Sequence, residues 1–389
     1  GLTAKSRSSD LSINMSSPNM VMRDPVIYRS MISNHHRTGD AWKIYPMYDW
    51  THGESDYIEQ VSHSLCTLEF EPHRELYDWF LDSIGPLKGI RPKQREFSRL
   101  NLSYTITSKR NLARLVEEKL VDGWDDPRMP TISGLRNRGY SPESLKTFAL
   151  TVGVSKRESV IDVSLLEFCA RAHLNEVAPR AMAVINPLKL TITNYEDKAF
   201  EEIKFEINPQ KKEIGARKIK FSKTIYIERD DFKEAADDNF FRLKTGGEVR
   251  LKNAYIIKAT EVLKDDKGEV VEVLCEYDKK SKSGSNTPES NRKVKGTIHW
   301  VSATYSVDAK INIYDRLFKV SEPGKEKDLL ADINEDSLHV FEAKVEPHLQ
   351  RAKEGEKFQF QRIGYFVRTA NKKTLEFNKT VGLRDGWKK

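Results

Sequence analysis

The chain has 389 residues, of which 38% are hydrophobic and 32% charged, with a formal net charge of +7 at pH 7 and an isoelectric point near 9.0. Its length predicts two to four domains and its hydrophobic content excludes an intrinsically disordered protein, while its charge fits either a polyanionic partner or a merely soluble basic protein. Three distant cysteines and the lack of a long apolar run exclude a disulfide framework and a membrane span, and they indicate a reducing, cytoplasmic environment.

Up to about residue 101 the sequence has the pattern of an α/β domain. We predict a short strand at residues 43–47, a helix at residues 55–67 and a second helix at residues 73–84. The polar helix at 55–67 would carry His63 and Cys66. We therefore expect helices and strands to alternate along this part of the chain.

Tyr48 and His52 follow the predicted strand directly. In an open α/β sheet, side chains at this position face a ligand crevice. A tyrosine hydroxyl both donates and accepts hydrogen bonds, so it suits a carboxamide group. The alternative is a buried tyrosine and a histidine whose ring is satisfied by neighbouring backbone.

Residues 111–174 have a helical pattern. Ser141 and Pro142 resemble an N-cap followed by proline at the first helical position, and Ser155 with Glu158 predicts a capping box. Residues 124–131 cannot form a regular helix. Their adjacent carboxylates resemble a metal or acid/base pair, but such carboxylates before proline more often cap turns.

After Pro179 the hydrophobic period changes to two, which predicts many short strands. Short strands separated by turns are typical of antiparallel barrels, and we expect Trp300 in a barrel core. We interpret residues 279–293, rich in serine, lysine and asparagine, as a hairpin excursion with little structure of its own.

Strand alternation places Arg250 and Lys252 on the face opposite two apolar residues. An arginine can bind base edges through its planar fork, whereas a lysine supplies a point charge. Such a face would suit unpaired RNA bases. The alternative is a solvated strand face.

Two runs point to a known family. Residues 45–52 read Tyr-Pro-Met-Tyr-Asp-Trp-Thr-His, and residues 64–70 read Ser-Leu-Cys-Thr-Leu-Glu-Phe. They resemble the amino-acid pocket of the glutaminyl-tRNA synthetases, which are class I aminoacyl-tRNA synthetases. Ser108-Lys109-Arg110, alone a weak motif, is similar in its sequence context to the second signature of that class. The resemblance extends over nearly the whole chain.

The resemblance implies a glutamine pocket formed by Tyr48, His52, Cys66 and Gln94. Glutamylating relatives usually carry arginine at the position of Cys66, where it would pair with a substrate carboxylate. A neutral cysteine disfavours glutamate because no cation compensates the desolvated charge. The resemblance therefore favours glutamine, with a glutamyl-tRNA synthetase relative as the alternative.

The resemblance also implies an ATP site. Lys109 and Ser108 would be catalytic and would stabilise the departing pyrophosphate, and Arg99 and Leu100 would contact ATP beside them. ATP would act with Mg²⁺, and no metal site made by the protein itself is expected. The family's first ATP motif, His-x-Gly-His, does not occur in the sequence. We therefore expect a C-terminal fragment that binds tRNA but does not aminoacylate alone.

For the tRNA partner, the resemblance implies a set of anticodon-binding residues. Arg180, Gln359 and Arg362 would contact the middle base, Arg242 the third base, and Arg250 and Lys252 the first. Asn239 belongs to the same implied set. A non-catalytic tRNA-binding module is a further alternative.

The expected fold class is multidomain, α/β plus all-β. It comprises a remnant of an acceptor-stem-binding insertion (1–40), the second half of a Rossmann-type catalytic domain (41–104), and a Ser-Lys-Arg loop with a helical connector (105–178). Two antiparallel anticodon-binding β-barrels follow, a proximal one (179–200 and 318–389) and a distal one (201–317). Glutamine and its tRNA are the expected partners of a cytoplasmic monomer without membrane contact.

Overall fold

The computed structural model describes residues 8–84, 88–237, 239–326 and 328–384. The chain divides into two compact units. The first comprises Gly1–Asn101 and Gly153–Val160, and the second Leu102–Val152 and Ile161–Lys389. The outer ends of the first and last predicted domains, residues 1–7 and 385–389, lie outside the described residues.

The first unit combines a small antiparallel sheet with a parallel strand pair and two helices. Its elements are β1 (Ser8–Asp10), β2 (Val26–Ser30), β3 (Ile44–Pro46), α1 (Tyr48–Ile58), β4 (His63–Thr67), α2 (Arg74–Ser83) and β5 (Lys93–Phe97). Strands β1, β2 and β3 pair in that order, and β4 pairs with β5 in parallel. A 3-10 helix at Leu68–His73 leads into α2.

The predicted strand at residues 43–47 and the helix at residues 73–84 are confirmed by β3 and α2. The predicted helix at residues 55–67 is wrong, because α1 ends at Ile58 and β4 begins at His63. Burial alternates along β4, where Ser64 and Cys66 point inward. That period of two belongs to a strand, so Cys66 lies on a strand and not on a helix.

The position of β3 gives Tyr48 a different structural setting from the predicted one. β3 lies in an antiparallel sheet and not at the carboxyl edge of a parallel one, so the crevice rule does not apply to it. Tyr48 is instead the first residue of α1, which begins two residues after β3. Its place in the candidate site depends on the helix.

Four helices open the second unit. They are α3 (Lys109–Glu117), α4 (Ile132–Arg138), α5 (Pro142–Val152) and α6 (Val163–Val177). The start of α5 is confirmed, since Pro142 is its first residue and Ser141 Oγ accepts a hydrogen bond from Ser144 N at 3.1 Å. The capping box predicted at residue 155 is wrong, because α6 begins at Val163 behind the N-cap Asp162. Two short strands, β6 (Asn101–Leu102) and β7 (Val160–Ile161), lie where the chain passes between the units.

The turn at residues 124–131 is irregular, as predicted. Asp126 is 3% exposed, and its carboxylate accepts hydrogen bonds from the Arg128 side chain at 2.7 and 3.0 Å and from two backbone N–H groups at 2.8 and 2.9 Å. Burial alone would raise the pKa of Asp126, but these hydrogen bonds outweigh it and lower the pKa. Asp126 therefore caps the turn, which confirms the structural interpretation.

The rest of the second unit is built mainly from strands. They are β8 (Arg180–Ala181), β9 (Ala183–Val184), β10 (Pro187–Ile192), β11 (Phe200–Glu206), β12 (Ala216–Ser222), β13 (Thr224–Glu228), β14 (Phe232–Lys233), β15 (Leu243–Lys244), β16 (Glu248–Leu251), β17 (Ile256–Lys264), β18 (Val270–Tyr277), β19 (Thr297–Ile298), β20 (Val301–Ser302), β21 (Val307–Tyr314), β22 (Leu338–Val345), β23 (Lys357–Phe360), β24 (Gly364–Arg368) and β25 (Glu376–Gly382). A four-residue helix, α7 (Pro288–Asn291), precedes β19.

Most of these strands form two seven-stranded sheets. Sheet A has the order β19-β16-β17-β18-β10-β13-β20, and sheet B the order β8-β23-β24-β25-β21-β22-β9. The two edge strands of sheet A are separated in sequence only by His299 and Trp300, and those of sheet B only by Met182. Because its two edge strands are this close in sequence, they must also lie close in space, so each sheet curls back on itself. Both sheets are therefore barrel-like.

The strand pairing corrects two expectations. Both sheets are mixed and not purely antiparallel, because β10 pairs in parallel with β18, β16 with β19, β8 with β23 and β21 with β25. Residues 279–293 do not form a hairpin excursion. They connect β18 to β19, which two other strands separate in sheet A, and they contain α7.

Each curled sheet encloses its own hydrophobic core. Trp300 lies fully buried in the core of sheet A, as predicted, and packs edge-on against Phe221 with ring centroids 5.0 Å apart. Phe360 and Phe366 stack at 4.4 Å inside sheet B. Aromatic burial of this kind stabilises both cores, and the core of sheet A also takes in Val184 from the edge of sheet B.

Gly134 in α4 leads to the first testable prediction. A Cβ at this position would lie 2.5 Å from Asp126 O and 2.6 Å from Met129 O, both backbone atoms of the preceding turn. Gly→Ala inside a helix normally stabilises a protein by about 1 kcal/mol. Here we expect Gly134→Ala to destabilise the protein by about 2 kcal/mol, measured by urea unfolding. The exposed neighbour Ser133→Ala should change stability by less than about 0.5 kcal/mol, and a stabilised Gly134→Ala variant would contradict the packing described.

Candidate functional site

The first candidate site lies in the first unit, where α1 presents a row of polar side chains. Tyr48, His52 and Asp56 follow one another at intervals of four residues, so they share one helix face. Tyr48 Oη lies 3.1 Å from His52 Nδ1, and His52 Nε2 lies 3.5 Å from Asp56 Oδ2. The Tyr48 ring also packs on Phe70 with centroids 4.5 Å apart. Tyr48 and His52 are therefore held as one hydrogen-bonded pair.

The strand pair β4–β5 supplies the other predicted pocket residues. Cys66 and Glu96 are cross-strand partners, and Gln94 lies two residues before Glu96 on the same face of β5. Gln94 Nε2 donates to Phe70 O at 2.8 Å and to Glu96 Oε1 at 3.0 Å. Because Phe70 contacts both Tyr48 and Gln94, the structure brings the four predicted residues into one neighbourhood.

Glu96 determines the electrostatics of this neighbourhood. Its side chain is buried and accepts Arg74 Nε at 2.9 Å, a second hydrogen bond from Arg74 Nη2, and Lys156 Nζ at 3.2 Å. The hydrogen bonds from Arg74 lead the causes that lower the pKa of Glu96 to about 2. Glu96 is therefore ionised at neutral pH, and both neighbouring cations are bound to it.

The charge state of Cys66 follows from this arrangement. Burial first, and then the negative charge of Glu96, raise the pKa of the Cys66 thiol to about 11. At neutral pH the thiol is thus uncharged, beside a carboxylate whose cations are already paired. Sequence reasoning missed Glu96 and Arg74. For Glu96, the sequence offered one signal, its position two residues after Gln94, which puts both side chains on the same face of a strand.

The nucleotide candidates are distributed over both units. Arg99 and Leu100 belong to the first unit, and Ser108 and Lys109 to the second. Ser108 is the N-cap of α3 and Lys109 its first residue, so the predicted Ser-Lys-Arg loop is in fact the start of a helix. Lys109 is exposed, and it adds a full positive charge to the partial positive charge of the helix N-terminus.

The second candidate site is a cavity of about 670 Å³ in the second unit. It contains three of the predicted nucleic-acid-binding residues, Arg180, Lys252 and Gln359. They come from β8, from the residue after β16 and from β23. The other lining residues are Asn175, Lys204, Phe205, Glu206, Pro209, Gln210, Asn253 and Gln361.

One wall of the cavity is a hydrogen-bonded network. Arg180 donates to Asn175 Oδ1 at 2.9 Å and to Ala178 O at 2.6 Å, so its guanidinium binds only neutral acceptors there. Gln359 Nε2 donates to Tyr365 Oη at 2.8 Å, and that hydroxyl lies 3.2 Å from Asn175 Oδ1. The network fixes the orientation of Arg180 and Gln359 without neutralising the arginine.

Lys252 faces the same cavity. Burial, and secondly the charge of Arg362, lower the pKa of the Lys252 ammonium. Within the described part of the chain, no carboxylate forms an ion pair with it. Three cations, Arg180, Lys204 and Lys252, line the cavity together with one carboxylate, Glu206, so the lining has a net positive charge.

Four other predicted residues, Arg362, Arg242, Asn239 and Arg250, do not line the cavity. Arg362 forms a two-point ion pair with Asp231 at 2.5 and 2.8 Å, and Arg242 Nε approaches the same carboxylate at 3.2 Å. Asn239 is exposed in the segment just before Arg242. Asp231, which sequence reasoning missed, is thus the residue that places both arginines.

Arg250 and Lys252 are separated by their contacts, although sequence alternation paired them. Arg250 donates to Ser281 O at 2.9 Å and to Ser290 O at 2.8 Å, with two longer contacts at 3.3 Å to Ser283 Oγ and Arg292 O. Its guanidinium therefore holds residues 281–292 against sheet A. Lys252 alone reaches the cavity.

The described residues contain no cluster of three or more histidine, cysteine, aspartate or glutamate side chains placed to hold a metal ion. None of the helices in the described ranges combines the length and the apolar content needed to cross a bilayer.

The shifted pKa of Glu96 leads to a prediction. The pKa of Glu96 falls from an ordinary 4.5 to about 2 in the folded protein. The ionised side chain therefore contributes fully to the free energy of unfolding above pH 4.5, and this contribution is lost as the pH falls through 2. That shift corresponds to about 3 kcal/mol at neutral pH. We expect Glu96→Gln to lower the free energy of unfolding of the first unit at pH 7 and to flatten its fall between pH 5 and pH 2, measured by urea unfolding. Glu59→Gln, at an exposed position after α1, should leave the pH profile unchanged, whereas an unaltered profile for Glu96→Gln would refute the assignment.

Three protein-family models match the chain. The catalytic domain of tRNA synthetases class I (E and Q) matches residues 7–176. Two models of the anticodon-binding domain of the same synthetases match residues 178–278 and 297–369. Arg180, Lys252 and Gln359 lie within the anticodon-binding matches, whereas Asn175 lies within the catalytic-domain match.

Curated relatives show the same likeness. The chain is 52% identical over 380 residues to the glutamine–tRNA ligases of Cronobacter sakazakii and Vibrio vulnificus, covering 97% of this chain and 68% of each relative. It is 51% identical over 382 residues to the glutamine–tRNA ligase of Rhodopirellula baltica, covering 97% of this chain and 63% of the relative. The chain thus spans about two thirds of the length of the relatives that it matches.

Proposed function

The chain belongs to the class I tRNA synthetases of the E and Q type, and we propose that it serves glutamine–tRNA ligation, the ATP-dependent joining of glutamine to its tRNA. The observation that carries this proposal is the group of Tyr48, His52, Cys66 and Gln94 in one neighbourhood around an uncharged thiol. These are the four residues that the family resemblance implies for a glutamine pocket. The uncharged thiol among them suits a neutral amide group.

The electrostatics favour glutamine over glutamate. A substrate carboxylate beside Cys66 would meet an uncharged thiol and the ionised Glu96, with Arg74 and Lys156 already paired. Burying a charge without a partner is costly, whereas an amide needs only hydrogen bonds. The hydroxyl of Tyr48 can donate to the amide oxygen or accept from the amide nitrogen.

For the chemical step, we assign positioning and charge stabilisation to the protein. Lys109 and Ser108 at the start of α3 would neutralise the pyrophosphate as it departs, and Arg99 and Leu100 would contact ATP. Mg²⁺ typically enters such sites with the phosphates of the nucleotide. The described residues offer no metal cluster of their own, so no step is assigned to the ion.

We assign the two barrel-like sheets to anticodon binding. Arg180, Lys252 and Gln359 would bind unpaired bases in the cavity, while Arg362, Arg242, Asn239 and Arg250 would act at its margins. The proposed domains keep residues 41–104 as half of a Rossmann-type domain and 105–178 as the connector. The proximal and distal barrels exchange two strands relative to the expected bounds, because β10 belongs to sheet A and β21 to sheet B. A monomeric state and a cytoplasmic location stay predictions.

Exchanging Cys66 tests the glutamine assignment. In the native enzyme that contains this chain, Cys66→Arg should lower kcat/KM for glutamine by about 100-fold or more, because the new cation displaces the amide and competes for Glu96. Cys66→Ser, which keeps a small neutral group, should stay within about tenfold of the unchanged enzyme. The measurement is aminoacylation with glutamine and glutamate in parallel. An unchanged enzyme that prefers glutamate would overturn the proposal.

Binding of tRNA tests the anticodon assignment. We expect the chain to bind glutamine tRNA more tightly than a tRNA with an altered anticodon, with affinity that falls as salt rises. Lys252→Ala should weaken binding by about tenfold and reduce the salt slope by about one. Lys258→Ala, on an exposed position of β17, is the matched control and should change little. Equal affinity for both tRNAs would refute the assignment.

A further inference from the structure

The 3-10 helix at Leu68–His73 lies beside the first candidate site. Its Phe70 contacts two of the predicted pocket residues, which belong to different elements. The ring of Phe70 packs on Tyr48 of α1 with centroids 4.5 Å apart, and its carbonyl oxygen accepts from Gln94 Nε2 of β5 at 2.8 Å. The position of Phe70 therefore sets how Tyr48 and Gln94 lie relative to each other.

This 3-10 segment has little intrinsic support. 3-10 helices have poor hydrogen-bond geometry and seldom exceed about four residues, whereas this one has six. Pro72 lies inside it and has no backbone N–H to donate. None of its six residues, all of which the structure describes, is buried, so burial of apolar side chains contributes little. The position of the segment therefore depends on side-chain contacts from other elements.

One such contact joins the end of the segment to α1. His73 Nδ1 lies 2.7 Å from Asp49 Oδ1, and the two side chains are only 26% and 27% exposed. Because a carboxylate only accepts hydrogen bonds, the histidine donates through Nδ1. The His73 ring also meets Phe70 edge-on, with centroids 5.4 Å apart. Asp49 directly follows Tyr48 in the first turn of α1, so Tyr48, Phe70, His73 and Asp49 form a closed ring of contacts.

Two further side-chain contacts to the segment are weaker. Asn19 Nδ2 donates to Pro72 O at 2.8 Å, which is a hydrogen bond between neutral groups. Lys156 Nζ lies 3.6 Å from Glu71 Oε1, but both side chains are more than half exposed, so solvent screens the pair. The hydrogen bond of His73 is shorter and has a carboxylate acceptor, which makes it the stronger link.

Resting on the proposed joining of glutamine to its tRNA, we propose that Asp49 and His73 are positioning residues for the binding of glutamine. They act through Phe70 and do not touch the substrate. Their hydrogen bond holds Phe70 against Tyr48, which keeps Tyr48 and Gln94 in the arrangement that receives the amide group. Loss of this hydrogen bond releases the segment from α1, so glutamine binds more weakly.

The first experiment removes the hydrogen bond and then restores it. In the native enzyme that contains this chain, aminoacylation is measured with glutamine, ATP and tRNA varied in turn. His73→Leu removes the donor and should raise KM for glutamine by about tenfold, with kcat and the KM values for ATP and tRNA within about threefold. His73→Asn places an N–H donor near the position of Nδ1 and should restore KM for glutamine to within about threefold. The control His63→Leu, at an exposed position of β4, should leave these constants unchanged.

A double-mutant cycle tests whether the two residues act together. Asp49→Ala should raise KM for glutamine about as much as His73→Leu does, and the double variant should be no worse than the worse single variant, because all three lack the same hydrogen bond. Asp49→Ala also removes a favourable charge from the first turn of α1, so thermal unfolding is measured for every variant. A partly unfolded variant loses kcat and keeps its KM, which is the opposite of the expected result.

The outcomes separate this proposal from the function on which it rests. If the unchanged enzyme does not join glutamine to tRNA, the proposed function is wrong and the positioning role falls with it. If it does, but His73→Leu keeps KM for glutamine within about threefold or raises all three KM values equally, the pair does not position the pocket. Multiplied effects in the double variant, or a His73→Asn variant as impaired as His73→Leu, would also overturn the role of the hydrogen bond.

Discussion

The buried carboxylate of Asp231 organises the β-rich half of the molecule. It is 3% exposed, and such a charge is tolerated only when cations and hydrogen bonds compensate it. Arg362 provides a two-point ion pair and also donates to His299 Nδ1 at 3.0 Å. His299 Nε2 in turn lies 2.8 Å from Ala183 O, which assigns the ring proton to Nε2.

This chain of contacts joins the two curled sheets where each of them closes. His299 lies in the dipeptide between the edge strands of sheet A, and Ala183 lies in an edge strand of sheet B. The cavity takes Lys252 from one sheet and Arg180 and Gln359 from the other. Its shape therefore depends on how the two sheets are joined, and the contacts of Asp231, Arg362 and His299 form one of these links.

The two candidate sites treat charge in opposite ways. Around Cys66, the cations Arg74 and Lys156 are both paired with Glu96, so the neighbourhood suits a neutral amide group. In the cavity, Arg180 and Lys252 form no ion pair with a carboxylate among the described residues, so the surface suits an electron-rich ligand. Each arrangement matches one of the two partners proposed for the chain, a small polar amino acid and an RNA.

Local patterns predicted the strands, the start of α5 and the buried Trp300, because alternation and capping depend on neighbouring residues. The helix predicted at residues 55–67 was wrong, since the inward-facing Ser64 and Cys66 owe their strand conformation to pairing with β5, about 30 residues further along the chain. The mixed sheets escaped prediction for the same reason. Strand partners are chosen by contacts that no local window contains.

The sequence by itself determined the family, and it proposed a common site for Tyr48, His52 and Cys66, because these residues lie close together along the chain. Only the tertiary structure decided which basic residues face the cavity. Arg362 is bound by Asp231, 131 residues away, and Arg250 is bound by residues 281–292. The free or occupied state of a polar side chain depends on groups that folding brings beside it, and these groups are distant in sequence.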